Sequence, residues 1–99
     1  MSAKHPPKTR IKVYYRKSLE MSPGKLAAQV AHAVLGIVRA SGPVSPTSSI
    51  IVLEASDRKF NEMQSTSAVP CYVQNDLGIT GLEPGTPTCL ALFPEFVYD

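Results

Sequence analysis

No apolar run in the 99 residues approaches the roughly 20 needed to span a bilayer. The basic N-terminus, MSAKHPPKTR, is not followed by the hydrophobic core of a secretory signal. Both absences point to a soluble, cytoplasmic chain with no membrane partner. There are only two cysteines, Cys71 and Cys89, in apolar surroundings, with no CxxC spacing and no second pair. Two buried thiols are the simplest reading, with a disulfide or a metal site as the alternative. His5 and His32 are the only histidines and stand far apart with no ligand spacing, so no metal site is expected. No serine lies in a G-x-S-x-G elbow, and this excludes one common route to a covalent nucleophile. No internal repeat or second domain is visible.

What is present is globular: 43% apolar and 18% charged residues, enough for one packed core and outside the composition of disorder. The net charge of +2 hides an uneven distribution. Residues 1 to 25 carry seven Lys and Arg against Glu20 alone, whereas residues 26 to 99 carry three against seven acids. A cationic end of this kind attracts polyanions such as RNA, although a solvated basic tail would look the same.

Residues 1–9 contain Pro6 and Pro7 and lack apolar periodicity, so they read as a flexible basic arm ahead of a single domain over 10–99. Ile11, Val13 and Tyr15 then alternate with Lys12, Tyr14 and Arg16, the period-2 signature of a strand. Ser22 can cap a helix with Pro23 in its first turn, running to about Arg39 or Ala40 before Ser41, Gly42 and Pro43. Ile50 to Leu53 form a continuous aliphatic run suited to a strand buried on both faces. Ser56 or Asp57 can cap a short second helix with Phe60 and Met63 inward. Val69 to Gln74 form a third strand, held near an edge by Pro70. Cys89 to Phe93 are apolar throughout and suit a central strand. The order predicts an α/β fold: three layers, α/β/α, around a four-stranded mixed sheet with the third strand antiparallel to the rest.

At roughly 100° per residue, Lys25, Gln29, His32, Gly36 and Arg39 share an arc of about 80° on the first helix. Leu26, Val30, Ala33, Val34, Ile37 and Val38 fill the opposite, core-facing side. Amphipathicity alone accounts for that division. Lys25 is less easily explained, because a cation in the first turn opposes the helix dipole. With the free amides there, its ammonium would make an anion site. Ala27, Ala28 and Ala31 leave the stripe uncrowded, and Gly36 opens a gap on it.

The segment RKSLEMSPGKLAAQVAHAVLG, from Arg16 to Gly36, resembles the first signature of type 2 peptidyl-tRNA hydrolases. In these, an arginine ending the first strand leads to GK-aliphatic-AAQ-x-x-HA. The second signature, DAG-x-T followed by PGT-x-T and an apolar strand, appears as DLGITGLEPGTPTCLALFP, with Asp76, Gly78, Thr80, Pro84, Gly85, Thr86, Thr88 and Pro94 in place. Ile79 and Gly81 depart from the usual polar residues, and Pro23 from a lysine. The resemblance implies a cofactor-free hydrolase that cleaves the ester between a peptide, or an N-blocked amino acid, and tRNA. A homodimer is implied as well. Carried over by position, Lys25, Asp76 and Thr80 are the catalytic candidates. Gln29, His32, Thr86, Arg16 and Lys17 are the substrate-binding candidates.

Ester hydrolysis requires a positioned water, a group to receive or direct its proton, and a donor for the tetrahedral oxyanion. Asp76 suits the water. A neighbouring Lys25 would keep it ionised, so that it orients water more than it accepts a proton. Lys25 suits the oxyanion or a phosphate, Thr80 and Thr86 can donate hydrogen bonds, and Gln29 can hold a ribose hydroxyl or fix Asp76. His32 lies roughly 10 Å along the helix from Lys25 and suits positioning. A non-catalytic homologue that binds RNA or protein is the alternative, motivated by Ile79 and Gly81. A small-molecule hydrolase or transferase on the same scaffold is a third reading.

Overall fold

A computed structural model describes residues 8–66, 71–76 and 85–96. Residues 1–7 of the basic arm, 67–70, 77–84 and 97–99 lie outside the described residues. The first strand, β1 (Thr9–Arg16), ends in a single 3-10 turn, Lys17–Leu19. Helix α1 (Pro23–Ser41) follows, capped where its sequence suggests: the Ser22 hydroxyl accepts from the Lys25 amide. Gly42, at φ 102°, closes it with a backbone geometry that side-chain-bearing residues avoid. Strand β2 (Ser49–Ala55), helix α2 (Asp57–Ser65) capped by Ser56, strand β3 (Cys71–Asn75) and strand β4 (Pro87–Leu92) complete the order, with a two-residue β5 (Glu95–Phe96).

The strands lie in the order β2-β1-β4-β3, and β5 pairs with the beginning of β1. β1 and β2 are parallel, whereas β4 is antiparallel to both of its neighbours, β1 and β3. The sheet is mixed and open, but the odd strand is β4 and not the third strand as expected. α2 follows the β2 edge of the sheet and β3 occupies the other edge, aligned with β1. A helical crossover of this kind returns the chain in the same direction, and the short return from β3 must then reverse it.

Alternation along the strands sorts the core into two clusters. Ile11 and Val13 of β1, with Cys89 and Ala91 of β4, pack against Ala33 and Ile37 of α1. Leu90, on the opposite pleat of β4, packs with Phe60 of α2 and Ala55. β4 is therefore covered from both sides, as its unbroken apolar run requires. Cys71 and Cys89 are free thiols that belong to different clusters.

The reading of Ile50–Leu53 as doubly buried is corrected. β2 is an edge strand, and Ile50 and Val52 are 50% and 44% exposed. They pair in register with Ile11 and Val13, hence on the sheet face that α1 covers. α1 lies over β3, β4 and β1 and stops short of β2. An aliphatic run specifies a strand, but it cannot specify how far a helix reaches across the sheet.

Candidate active site

The polar arc of α1 divides in two. Lys25, Gln29 and Gly36 turn toward β3 and β4, whereas His32 and Arg39 face outward and are exposed. The division follows from how closely the helix docks. A Cβ on Gly36 would overlap the ring of Tyr72, so the gap expected there is occupied by that ring and is not open to a ligand. Docking at this distance draws Gln29, which is only 9% exposed, into the interface.

Three contacts then join α1 to the neighbouring strands. At the inner end, the Tyr72 ring lies on Gly36, and its hydroxyl donates to Gln74 Oε1 at 3.2 Å. In the middle, Thr88 Oγ1 lies 2.7 Å from Gln29 Oε1 and 3.1 Å from the Gln74 carbonyl oxygen. A hydroxyl has one proton, so Thr88 donates to only one of these acceptors at a time. At the helix N-terminus, Lys25 Nζ donates to Asp76 Oδ1 at 2.8 Å. The Lys25 and Asp76 side chains are 10% and 2% exposed, so the charges meet largely out of water.

Thr88 reaches α1 because of an irregularity in the ladder. Gln74 pairs with Cys89, but Asn75 pairs with Pro87, which leaves Thr88 as the extra residue of β4. A bulge of this kind re-aims one side chain, here toward Gln29. The backbone closes again beyond it: the Asp76 amide donates to the Thr86 carbonyl at 2.8 Å, and the Gly85 amide to the Asp76 carbonyl at 2.7 Å. Gly85 has φ 85°. Asp76 is thus held through its main chain by the first residues leading into β4, and through its side chain by α1.

The free amides expected at the start of α1 are fewer than the motif suggests. Pro23 has no N–H, the Lys25 amide donates to Ser22 Oγ, and the Leu26 amide donates to the Ser22 carbonyl. Gly24 keeps the one amide of that first turn without a partner. Among the described residues, the anion-binding capacity at this end therefore rests chiefly on the Lys25 ammonium.

The remaining candidates are dispersed. Arg16 donates from Nε to Asp57 Oδ1 at 3.1 Å and from Nη1 to the Pro87 carbonyl at 3.0 Å, with its guanidinium 6.0 Å from the centre of the Phe60 ring. These bonds tie the end of β1 to α2 and to the start of β4. The Ser18 hydroxyl and Arg16 together hold the Asp57 carboxyl below the usual carboxylate range. Lys17 is paired with Glu54 at 3.2 Å and remains 74% exposed. The Thr86 carbonyl serves the Asp76 turn. Thr80, Ile79 and Gly81 lie outside the described residues.

Thr88, Tyr72 and Asp57 are not among the site residues that the sequence suggests. Thr88 had a signal, because Thr86 and Thr88 both belong to the PGT-x-T signature. Its inward aim depends on the bulge, which no local pattern announces. Among the described residues there is no group of three His, Cys, Asp or Glu that could hold a metal, and no helix is long and apolar enough to cross a membrane.

The family model described as Peptidyl-tRNA hydrolase PTH2 matches residues 10–98. A peptidyl-tRNA hydrolase of Methanopyrus kandleri is 38% identical, the match covering 84% of this chain and 82% of the relative. One from Haloquadratum walsbyi is 41% identical over 81% and 80%. One from Thermoplasma acidophilum is 31% identical over 81% and 80%. A match over nearly the whole chain, with relatives similarly covered, places this protein in the peptidyl-tRNA hydrolase PTH2 family.

Proposed function

We propose that the protein hydrolyses the ester between a peptide, or an N-blocked amino acid, and tRNA, and that Lys25 and Asp76 carry the reaction. The supporting observation is the 2.8 Å contact between them, which joins residues 51 positions apart from the two matched segments. Asp76 directs a water at the ester carbonyl. Its carboxylate, screened from bulk water by burial and kept charged by the ammonium, serves better as an orienter than as a strong base. Lys25 spends one of its three donors on Asp76. The others are available to the oxyanion that develops as the water adds, where charge in a water-poor site is stabilised most. Collapse of the tetrahedral intermediate expels the ribose oxygen, which takes a proton, and releases the acyl group as a carboxylic acid.

Gln29 serves as the neighbouring substrate contact. Thr88 fixes one end of its carboxamide, and the amide nitrogen has no partner, so it can donate to a ribose or carbonyl oxygen. Thr80 and Thr86 belong to this reading as further hydroxyl donors. Arg16 contributes by holding the start of β4 beneath Asp76, and Lys17 by adding positive charge at the same end of the sheet. His32 contacts the RNA from the outer side of α1. The substrate would be met in the cytoplasm, and the exposed Ile50 and Val52 on the β2 edge offer a surface for a homodimer.

Incubation of the purified chain with N-acetylaminoacyl-tRNA tests this directly. Release of the acyl group, lost in both Lys25→Ala and Asp76→Ala, is the expected result. Binding of tRNA without cleavage would favour the non-catalytic reading instead.

A further inference from the structure

The proposed reaction places the ester at the N-terminal end of α1 but does not say where the rest of the nucleic acid lies. Over its 19 residues, PGKLAAQVAHAVLGIVRAS, α1 contains no aspartate or glutamate. A surface helix more often carries both signs, which lets its charges pair along the exposed face. Its ionisable side chains are Lys25, His32 and Arg39, spaced seven residues apart. Seven residues return to nearly the same side of a helix, with a drift of about 20°, so the three lie on one ridge. The rise from Lys25 to Arg39 is about 21 Å.

Partnering along the ridge changes with distance from the site. Lys25 is held by Asp76. His32 and Arg39 are exposed, and their side chains make no hydrogen bond, ion pair or ring contact. Among the other described surface cations, Lys12, Lys17 and Arg58 are each paired, with Glu95, Glu54 and Glu62, whereas Lys8 and Arg10 at the start of β1 are unpaired like the two on the ridge. Ala28 lies along the same ridge and is exposed, so nothing bulky stands between Lys25 and His32, whereas Leu35, 66% exposed, flanks the line between His32 and Arg39. A ridge of free cationic or cation-forming side chains without a carboxylate, leading away from the ester site, has the chemistry of a phosphate track.

We infer that the outer ridge of α1 seats the RNA strand leading away from the esterified end, with His32 as the nearer contact and Arg39 as a phosphate contact at the far end. This rests on the proposed hydrolysis for the position of the ester, and extends it to the path of the nucleic acid. Stacked at about 3.4 Å per nucleotide, a trinucleotide spans roughly 10 Å and falls short of Arg39, whereas a full tRNA reaches it.

The test uses two substrates carrying the same N-acetylaminoacyl ester, one on full-length tRNA and one on the 3′-terminal trinucleotide. It compares wild type with Arg39→Glu and with Arg58→Glu, an equal charge reversal on α2 at a side chain that is 89% exposed. For Arg39→Glu the expected result is a KM raised at least about fivefold on tRNA with kcat unchanged. The slope of log affinity against log salt should become shallower by about one contact. Trinucleotide cleavage should be unaffected, and Arg58→Glu should behave as wild type on both substrates. The inference is overturned if Arg39→Glu leaves the tRNA KM unchanged, if it slows both substrates equally, or if Arg58→Glu has the same effect. If the wild type cleaves neither ester, the proposed hydrolysis has failed. Equilibrium binding of uncharged tRNA then decides the ridge alone, which stands if Arg39→Glu binds more weakly than Arg58→Glu and falls if the two bind alike.

Discussion

Replacing Lys25 by methionine keeps most of the aliphatic stem and removes the ammonium from a contact in which both side chains are nearly sealed from water. Were the pair on the surface, its loss would cost between zero and about 1 kcal/mol. Exposures of 10% for Lys25 and 2% for Asp76 put it in the other regime. There, removal of one partner strands a buried charge and costs about 3–5 kcal/mol. Asp76→Asn should cost a similar amount, because it leaves the ammonium without its counter-charge. Stability in a domain of this size is typically about 5–15 kcal/mol, so either variant loses a large share of the total. Urea denaturation, followed by circular dichroism for wild type, both single variants and the double variant, reads this out. The double variant should be more stable than the sum of the single losses allows, by about 2 kcal/mol or more. Single losses below about 1 kcal/mol, or strict additivity, would refute the claim that the pair is buried and mutually dependent.

Other consequences follow from the packing around the same helix. Burial pushes the Cys89 thiol up to about 11, against a hydrogen bond with Thr88 that lowers it. The fold thus favours the protonated thiol, a contribution complete below about pH 9 and lost between about 9 and 11. Over that window stability should fall by about 2–3 kcal/mol, and Cys89→Ala should abolish this part of the alkaline loss in pH-dependent urea melts. Gly36→Ala gains about 1 kcal/mol of helix propensity but drives a methyl into the Tyr72 ring. A net destabilisation of about 1–2 kcal/mol is expected, removed when Tyr72→Ala is combined with it. Thr88→Val keeps the shape but deletes the only hydroxyl between Gln29 and the Gln74 carbonyl. It should cost about 1–3 kcal/mol in thermal or urea melts, and Thr88→Ser should recover most of it.

The elements that were legible in the sequence are those specified by their own residues. Ser22 and Pro23 start α1, Gly42 ends it, Ser56 caps α2, and the unbroken apolar run of β4 marks a central strand. What was not legible depends on partners distant in the chain. Ile50 and Val52 are as aliphatic as a buried strand requires, yet they are exposed because α1 stops short of β2. The reversed direction of β4, by contrast, follows from the connections themselves: helical crossovers keep the first three strands parallel and the return from β3 turns the chain back, so the odd strand is the fourth and not the third. Gln29 and His32 have equal standing on a helical wheel, but Tyr72 against Gly36 draws one inward and leaves the other in water. Arg16 reads as a free cation near the site until Asp57, 41 positions away, and the Pro87 carbonyl engage its guanidinium. The convergence of Lys25 with Asp76 was legible only through the family resemblance. Periodicity put Lys25 on a face, and nothing local to Asp76 distinguished it from an ordinary turn residue.

Lys25 and Asp76 are proposed to hydrolyse the ester of peptidyl-tRNA together. The most direct test of that role is the rate at which purified protein releases N-acetylaminoacyl groups from tRNA, with Lys25→Ala and Asp76→Ala measured at a temperature where both remain folded. Measurable cleavage by wild type is expected, with a fall of at least about 100-fold in kcat for each variant, the usual consequence of losing a transition-state donor or its water-orienting partner. Cleavage that survives at the wild-type rate in both variants, or is absent from the wild type, would contradict it.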